Sequence, residues 1–236
     1  MALSELSLFF QVHAQDLTGI ALSLTLWSFY QAYSHRCLRQ DPAATIQGIN
    51  TIARTAWVEM IMREGRDILA VQTLRNSTMA ATFLASTAIL LMMGVLNVAS
   101  QGAKLGETWH IDMGGTLNHS LWAVKLLMLL MDLFVAFFAF AMSIRLFNHV
   151  GYLINVHIGS QRQIITVSRV ANHLNQAGFY YHVGMRAYYA LVPLLLWLFG
   201  PYLMVLGTLG MVLALYRMDH VPETVRQDYR ITDNRL

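Results

Sequence analysis

From Ala187 to Tyr216 the chain runs without a single charged side chain, and three further stretches, 17–33, 78–98 and 121–143, are nearly as apolar. A helix needs about 20 mostly apolar residues to cross the hydrocarbon core of a bilayer. Lipid offers the backbone no hydrogen-bond partners, so segments of this length and composition are expected to cross as helices. The expected architecture is all-α: an integral membrane four-helix bundle forming one membrane domain over 1–236. Composition agrees, because 12% of the residues are charged, against about 25% in soluble domains. The first run is the weakest, with Gly19, Ser23, Thr25 and Ser28 inside it. The last contains Pro193, Gly200, Pro201, Gly207 and Gly210 and is expected to bend. No basic residue precedes the first run, which is expected to be a retained anchor rather than a cleaved signal.

Arginine distribution gives an expected orientation. The connection after the first run holds Arg36, Arg39, Arg54, Arg63, Arg66 and Arg75, and that after the third holds Arg145, Arg162, Arg169 and Arg186. The connection between them has only Lys104. Basic residues in short connections stay on the cytoplasmic side, which puts both termini on the non-cytoplasmic side of a multi-pass protein. The C-terminal tail, with Arg217, Arg226, Arg230 and Arg235, counts against that arrangement.

Both arginine-rich connections read as amphipathic helices, about 45–75 and 161–185. In the first, Ile46, Ile49, Ala53, Trp57, Met60 and Ile61 recur at helical spacing, and Glu59, Arg63 and Asp67 are spaced for i, i+4 ion pairs. Helices of this kind lie on a membrane surface with the apolar face down, so both are expected to be cytoplasmic and interfacial. The tyrosines near the span ends (Tyr30, Tyr33, Tyr180, Tyr181, Tyr188, Tyr189), with Trp109 and Trp122, suit interfacial belts.

The chemically unusual residues are few. Asp132 falls in the middle of the third run, where an acid costs roughly 3 kcal/mol on insertion scales and normally faces a partner inside the bundle. Lys125 lies seven residues earlier on the same helix face. Thr82, Ser86 and Thr87 of the second run are the expected polar partners of Asp132. At the start of that run, Gln72, Arg75 and Asn76 form a polar cluster at the expected cytoplasmic mouth, suited to a phosphate or a lipid headgroup. Ser77, Ala81 and Ala85 form a small-residue row at i, i+4, which lets helices approach closely in lipid.

Metal and cofactor chemistry find little support. Cys37 is the only cysteine, no histidine lies centrally in an apolar run, and His110, Asp112 and His119 match no zinc spacing. There is no HExxH, GxSxG or P-loop. No cofactor and no nucleic-acid partner are expected.

The stretches "RTAWVEMI", 54–61, and "ILAVQTLRNSTMAATFLASTAILL", 68–91, resemble the DUF599 family of polytopic membrane proteins, which occurs in bacteria and plants. The resemblance implies about four spans, and for a bacterial member the inner membrane. It carries no activity and no catalytic residues. The favoured functional reading is a non-catalytic structural or accessory membrane subunit, with membrane-protein partners or further copies of itself in the bilayer. Behind it stand a small ion, proton or solute channel using Asp132, and a lipid-binding or lipid-modifying protein using the basic face.

Overall fold

A computed structural model of the chain describes residues 14–101, 119–156 and 165–221. They form α1 (Ala14–Gln40), a 3-10 turn (Pro42–Ala44), α2 (Ile46–Glu64), α3 (Asp67–Ser100), α4 (His119–Ile154), α5 (Val167–Phe199) and α6 (Pro201–Asp219). The protein is an all-α, multi-pass membrane helix bundle. Among the described residues, the helices long and apolar enough to cross a bilayer are α3, α4, α5 and α6. Large apolar side chains such as Phe83, Leu90, Phe138 and Leu206 point outward from them, an apolar surface that suits lipid and not water.

The runs at 78–98 and 121–143 lie inside α3 and α4, as expected. The run at 187–216 is not one bent span. It divides at Gly200, whose φ of 156° and ψ of 158° are open essentially to glycine alone. Pro201 follows at the first position of α6, where its missing N–H costs nothing. The chain reverses there, and α6 returns antiparallel along α5, from Gly207 beside Leu196 to Asp219 beside Arg186.

The run at 17–33 lies in α1, which is not among the four most apolar helices because it turns Asp16, Gly19, Ser23 and Tyr30 inward. Its outward side carries Leu22, Leu24 and Phe29. It runs parallel to α6, from Gly19 against Pro201 to Tyr30 bonded to Asp219. Residues 14 and 219 therefore lie at opposite ends of the α1–α6 pair, and the end with residue 14 is called upper and that with residue 219 lower here.

At 33 to 36 residues, α3, α4 and α5 are about 50 Å long at 1.5 Å per residue. That exceeds the roughly 30 Å of hydrocarbon, and the surplus forms a lower layer closed by α2. Val58, Ile61 and Met62 of α2 pack there on Ala70, Leu74, Phe147, Val150, Val170 and Leu174. The apolar stripe of α2 thus finds a protein surface, and the helix stands antiparallel along α5, with Arg54 bonded to Asn175. The amphipathic stretch expected at 161–185 is, from Val167 on, the first half of α5 itself. Residues 161–164, Lys104, Trp109, His110, Asp112, His157, Arg162 and the arginines after Arg217 fall outside the described residues, as do the surroundings of the His119 side chain.

Glu59 and Arg63 pair at 2.6 Å. Arg63 and Asp67 cannot repeat that geometry, because Gly65 at φ 66° ends α2 in a left-handed cap. Higher up, Ala81, Ala85 and Ala88 bring α3 onto α4, and Phe140 of α4 lies between Tyr181 and Tyr188 at ring separations of 5.6 and 5.4 Å. These two tyrosines, like the buried Tyr30 and Trp122, face the bundle interior rather than forming an interfacial belt. A Cβ at Gly184 would approach the Phe140 ring to 2.8 Å, whereas one at Gly94 meets nothing within 4 Å. Gly184→Leu is expected to cost about 1–3 kcal/mol by overpacking. Gly94→Ala should be neutral or stabilise by up to about 1 kcal/mol. Thermal unfolding of the two variants in detergent checks both.

Candidate functional site

The first half of α2, the lower half of α3, the middle of α5 and the lower end of α6 line a cavity of about 590 Å³, within the size range of small-ligand sites. α2 contributes Ile46, Gln47, Asn50 and Arg54, and α3 contributes Asn76, Ser77 and Ala80. α5 supplies Gly178, Tyr181, His182, Met185, Arg186 and Tyr189, and α6 supplies Leu215, Met218 and Asp219, with Phe147 of α4 at the back.

Arg186 is the centre of its polar half. One helical turn separates it from His182, and its Nε donates to His182 Nε2 at 3.1 Å. That ring nitrogen is therefore an unprotonated acceptor. Nη2 pairs with Asp219 Oδ2, the same oxygen that accepts from the Tyr30 hydroxyl. The guanidinium also sits 5.3 Å from the centre of the Tyr30 ring, a cation–π contact. Arg186 is only 7% exposed, yet its Nη1 has no acceptor. A buried donor left unmade costs about 1–3 kcal/mol, which a ligand oxygen would recover.

Arg54 enters from the opposite wall. Its Nε donates to Asn175 Oδ1 at 3.0 Å and Nη2 to Thr51 Oγ1 at 3.4 Å. Both partners are neutral, and burial pushes the guanidinium below its ordinary pKa. Gly178 makes this placement possible, because a Cβ there would collide with the guanidinium. Among the described lining residues two arginines face one carboxylate, so the cavity carries a net positive charge.

The residues singled out in the sequence are distributed differently from the expectation. Asn76 lines the cavity, whereas Gln72 and Arg75 are exposed and do not. Thr82 and Ser86 face outward and Thr87 is half-buried. Thr82 and Thr87 donate within their own helix, to Thr78 O and Phe83 O, each at 2.9 Å. None of the three meets Asp132, because α3 turns its alanine row toward α4 and so carries the hydroxyls to the other side. Asp132 is half-buried, and its Oδ2 has no partner. Lys125 neither pairs with Asp132 nor reaches outward. It is 3% exposed at the upper end, where Nζ donates to Trp197 O at 2.9 Å and lies 3.5 Å from Asp16 Oδ1. Asp16 also accepts from Trp197 Nε1 at 2.9 Å, which ties α1, α4 and α5 together. Among the described residues no group of three or more His, Cys, Asp or Glu is placed to hold a metal ion.

Sequence reasoning missed Asp16, Arg54, His182, Arg186 and Asp219 as site residues. Arg186 borders a long apolar run, and Asp16 shares an inward face with Gly19 and Ser23, so both carried a signal. The proximity of Arg54 to Arg186, far apart in the chain, carried none. Asp16→Asn strands the Lys125 charge and should cost about 3–5 kcal/mol, as broken buried pairs do. Asp16→Asn combined with Lys125→Met should recover most of that loss, read by thermal unfolding in detergent.

No curated protein and no solved structure matches the chain. A family of proteins of unknown function, DUF599, matches over residues 18–224, most of the length. The chain belongs to the DUF599 family.

Proposed function

We propose that the protein is a non-enzymatic binder of a phosphate-bearing ligand, held in the cavity between α2, α3, α5 and α6. The observation that carries this reading is the pairing of Arg54, which has only neutral partners, with the acceptor-free Nη1 of Arg186 on facing walls of one cavity. A phosphate group presents several acceptor oxygens and up to two negative charges. Guanidinium matches it with a planar fork, and amides such as Asn50 and Asn76 add donors at no charge cost. Of the three functional readings of the sequence, this geometry favours ligand binding at the basic face over a purely structural subunit. The channel reading has less support, since Asp132 does not line the cavity.

The lower end is the cytoplasmic one in this reading. With α6 ending there, the tail arginines join those of the two basic connections, so all 14 arginines of the sequence fall on one side of the membrane. The tail that opposed the earlier orientation then supports this one. α1 counts as a fifth crossing, and the membrane is the cytoplasmic membrane.

Two measurements test these statements. Titration calorimetry of the purified protein in an uncharged detergent should show binding of glycerol 3-phosphate. Arg54→Gln should weaken it at least about tenfold, or 1.4 kcal/mol; an equal affinity in the variant would count against the site. A reporter that is active only in the cytoplasm, fused after Leu236, should be active. An inactive reporter in a stably expressed fusion would reverse the orientation.

A further inference from the structure

The cavity changes character along its length. Its lower part holds Arg54, Asn50, Asn76 and His182, and Arg186 and Asp219 mark the level where the polar lining ends. Above them, toward the middle of the bundle, the lining is Tyr189 and Leu215. The heights follow from helix direction, since α3 and α5 ascend while α2 and α6 descend. A cationic floor under an apolar upper part suits an amphiphile rather than a fully polar solute.

The side wall supplies the second half of the argument. α3 packs on α4, α4 on α5, α5 on α6, and α6 on α1. α3 and α6 line the same cavity, yet they do not pack closely against each other. They flank one face of α5 and leave a lateral gap between Ala80 and Met218, both exposed. On the aqueous side, α2 lies across the cavity, and its start is anchored beside the end of α6 by the Thr45–His220 bridge and the Val221 N–H donating to Ala44 O at 3.3 Å. Beside the gap that remains, Met79 of α3 and Met218 of α6 are exposed, an apolar rim that suits lipid.

Resting on the phosphate-binding reading, we infer that the ligand is a membrane lipid with a phosphomonoester headgroup, of the phosphatidate type, which enters sideways from the bilayer between α3 and α6. The headgroup reaches Arg54 and Arg186, and the acyl chains stay between α3 and α6 over Tyr189 and Leu215. An aqueous phosphate would reach the same arginines but would have no use for the lateral gap.

The test closes the gap without touching the arginines. The wild type, Ala80→Trp and Met218→Trp are reconstituted in nanodiscs of phosphatidylcholine with a minor fraction of phosphatidate. Retained lipid is identified by native mass spectrometry, and glycerol 3-phosphate affinity is measured on the same preparations. The wild type should retain phosphatidate in preference to phosphatidylcholine. Either tryptophan should reduce that retention about tenfold. Phosphatidate retention unaffected by both tryptophans would overturn lateral access. Glycerol 3-phosphate binding without phosphatidate enrichment would overturn the lipid and leave the phosphate site standing. Failure to bind either would remove both.

Discussion

The guanidinium of Arg186 holds the lower end of the bundle together. A cation this deeply buried needs compensation, and the chain supplies it from α6 with Asp219 and from α1 with the Tyr30 ring and hydroxyl. For Asp219 to arrive there, α6 must come back down along α5, which requires the reversal at Gly200 and Pro201. For Tyr30 to arrive, α1 must descend beside α6, which its row of Asp16, Gly19, Ser23 and Tyr30 permits. The opposite placement of residues 14 and 219 and the position of the cavity both follow from that one side chain's need for partners.

Compensation is incomplete, and the incompleteness is what gives the cavity its chemistry. Asp219 satisfies one arm of Arg186 and His182 another, while Nη1 is left over. Arg54 is held by Asn175 and Thr51, which position it without neutralising it. The contrast with the upper end is instructive. Lys125 there has Asp16, the Trp197 carbonyl and the Trp197 ring around it. Its charge is absorbed within the protein and serves helix association. The two ends use similar residues, but among the described residues only the lower one leaves positive charge facing an open volume.

Much of the fold was legible because helix formation in lipid is dictated by composition alone. The α3 and α4 runs and the alanine row at 81 and 85 could be read from periodicity, since small residues at i, i+4 have few other uses in an apolar helix. The division of the last run was harder to read. "FGPY" at 199–202 has the glycine-then-proline order of one helix ending and another beginning, but a kinked span contains the same letters. Asn76 was legible as facing something polar, whereas Thr82 and Ser86 were placed opposite Asp132 only because the inward azimuth of α3 was unknown. α2 shows the same limit. Its amphipathic pattern states that one face is buried, and it is silent on whether lipid or α5 does the burying. The site depended on long-range pairings, Arg54 with Asn175 and Arg186 with Asp219, that no local pattern encodes.

The central claim is that a phosphate group occupies the space between Arg54 and Arg186. Solid-state NMR dipolar recoupling between guanidinium 15N and 31P, on arginine-labelled protein in phosphatidate-containing bilayers, measures that contact directly. Charge-assisted hydrogen bonding places nitrogen and phosphorus about 4 Å apart, so the account predicts strong dephasing that is reduced in Arg54→Gln. Absence of dephasing in the wild type, or equal dephasing in the variant, would contradict it.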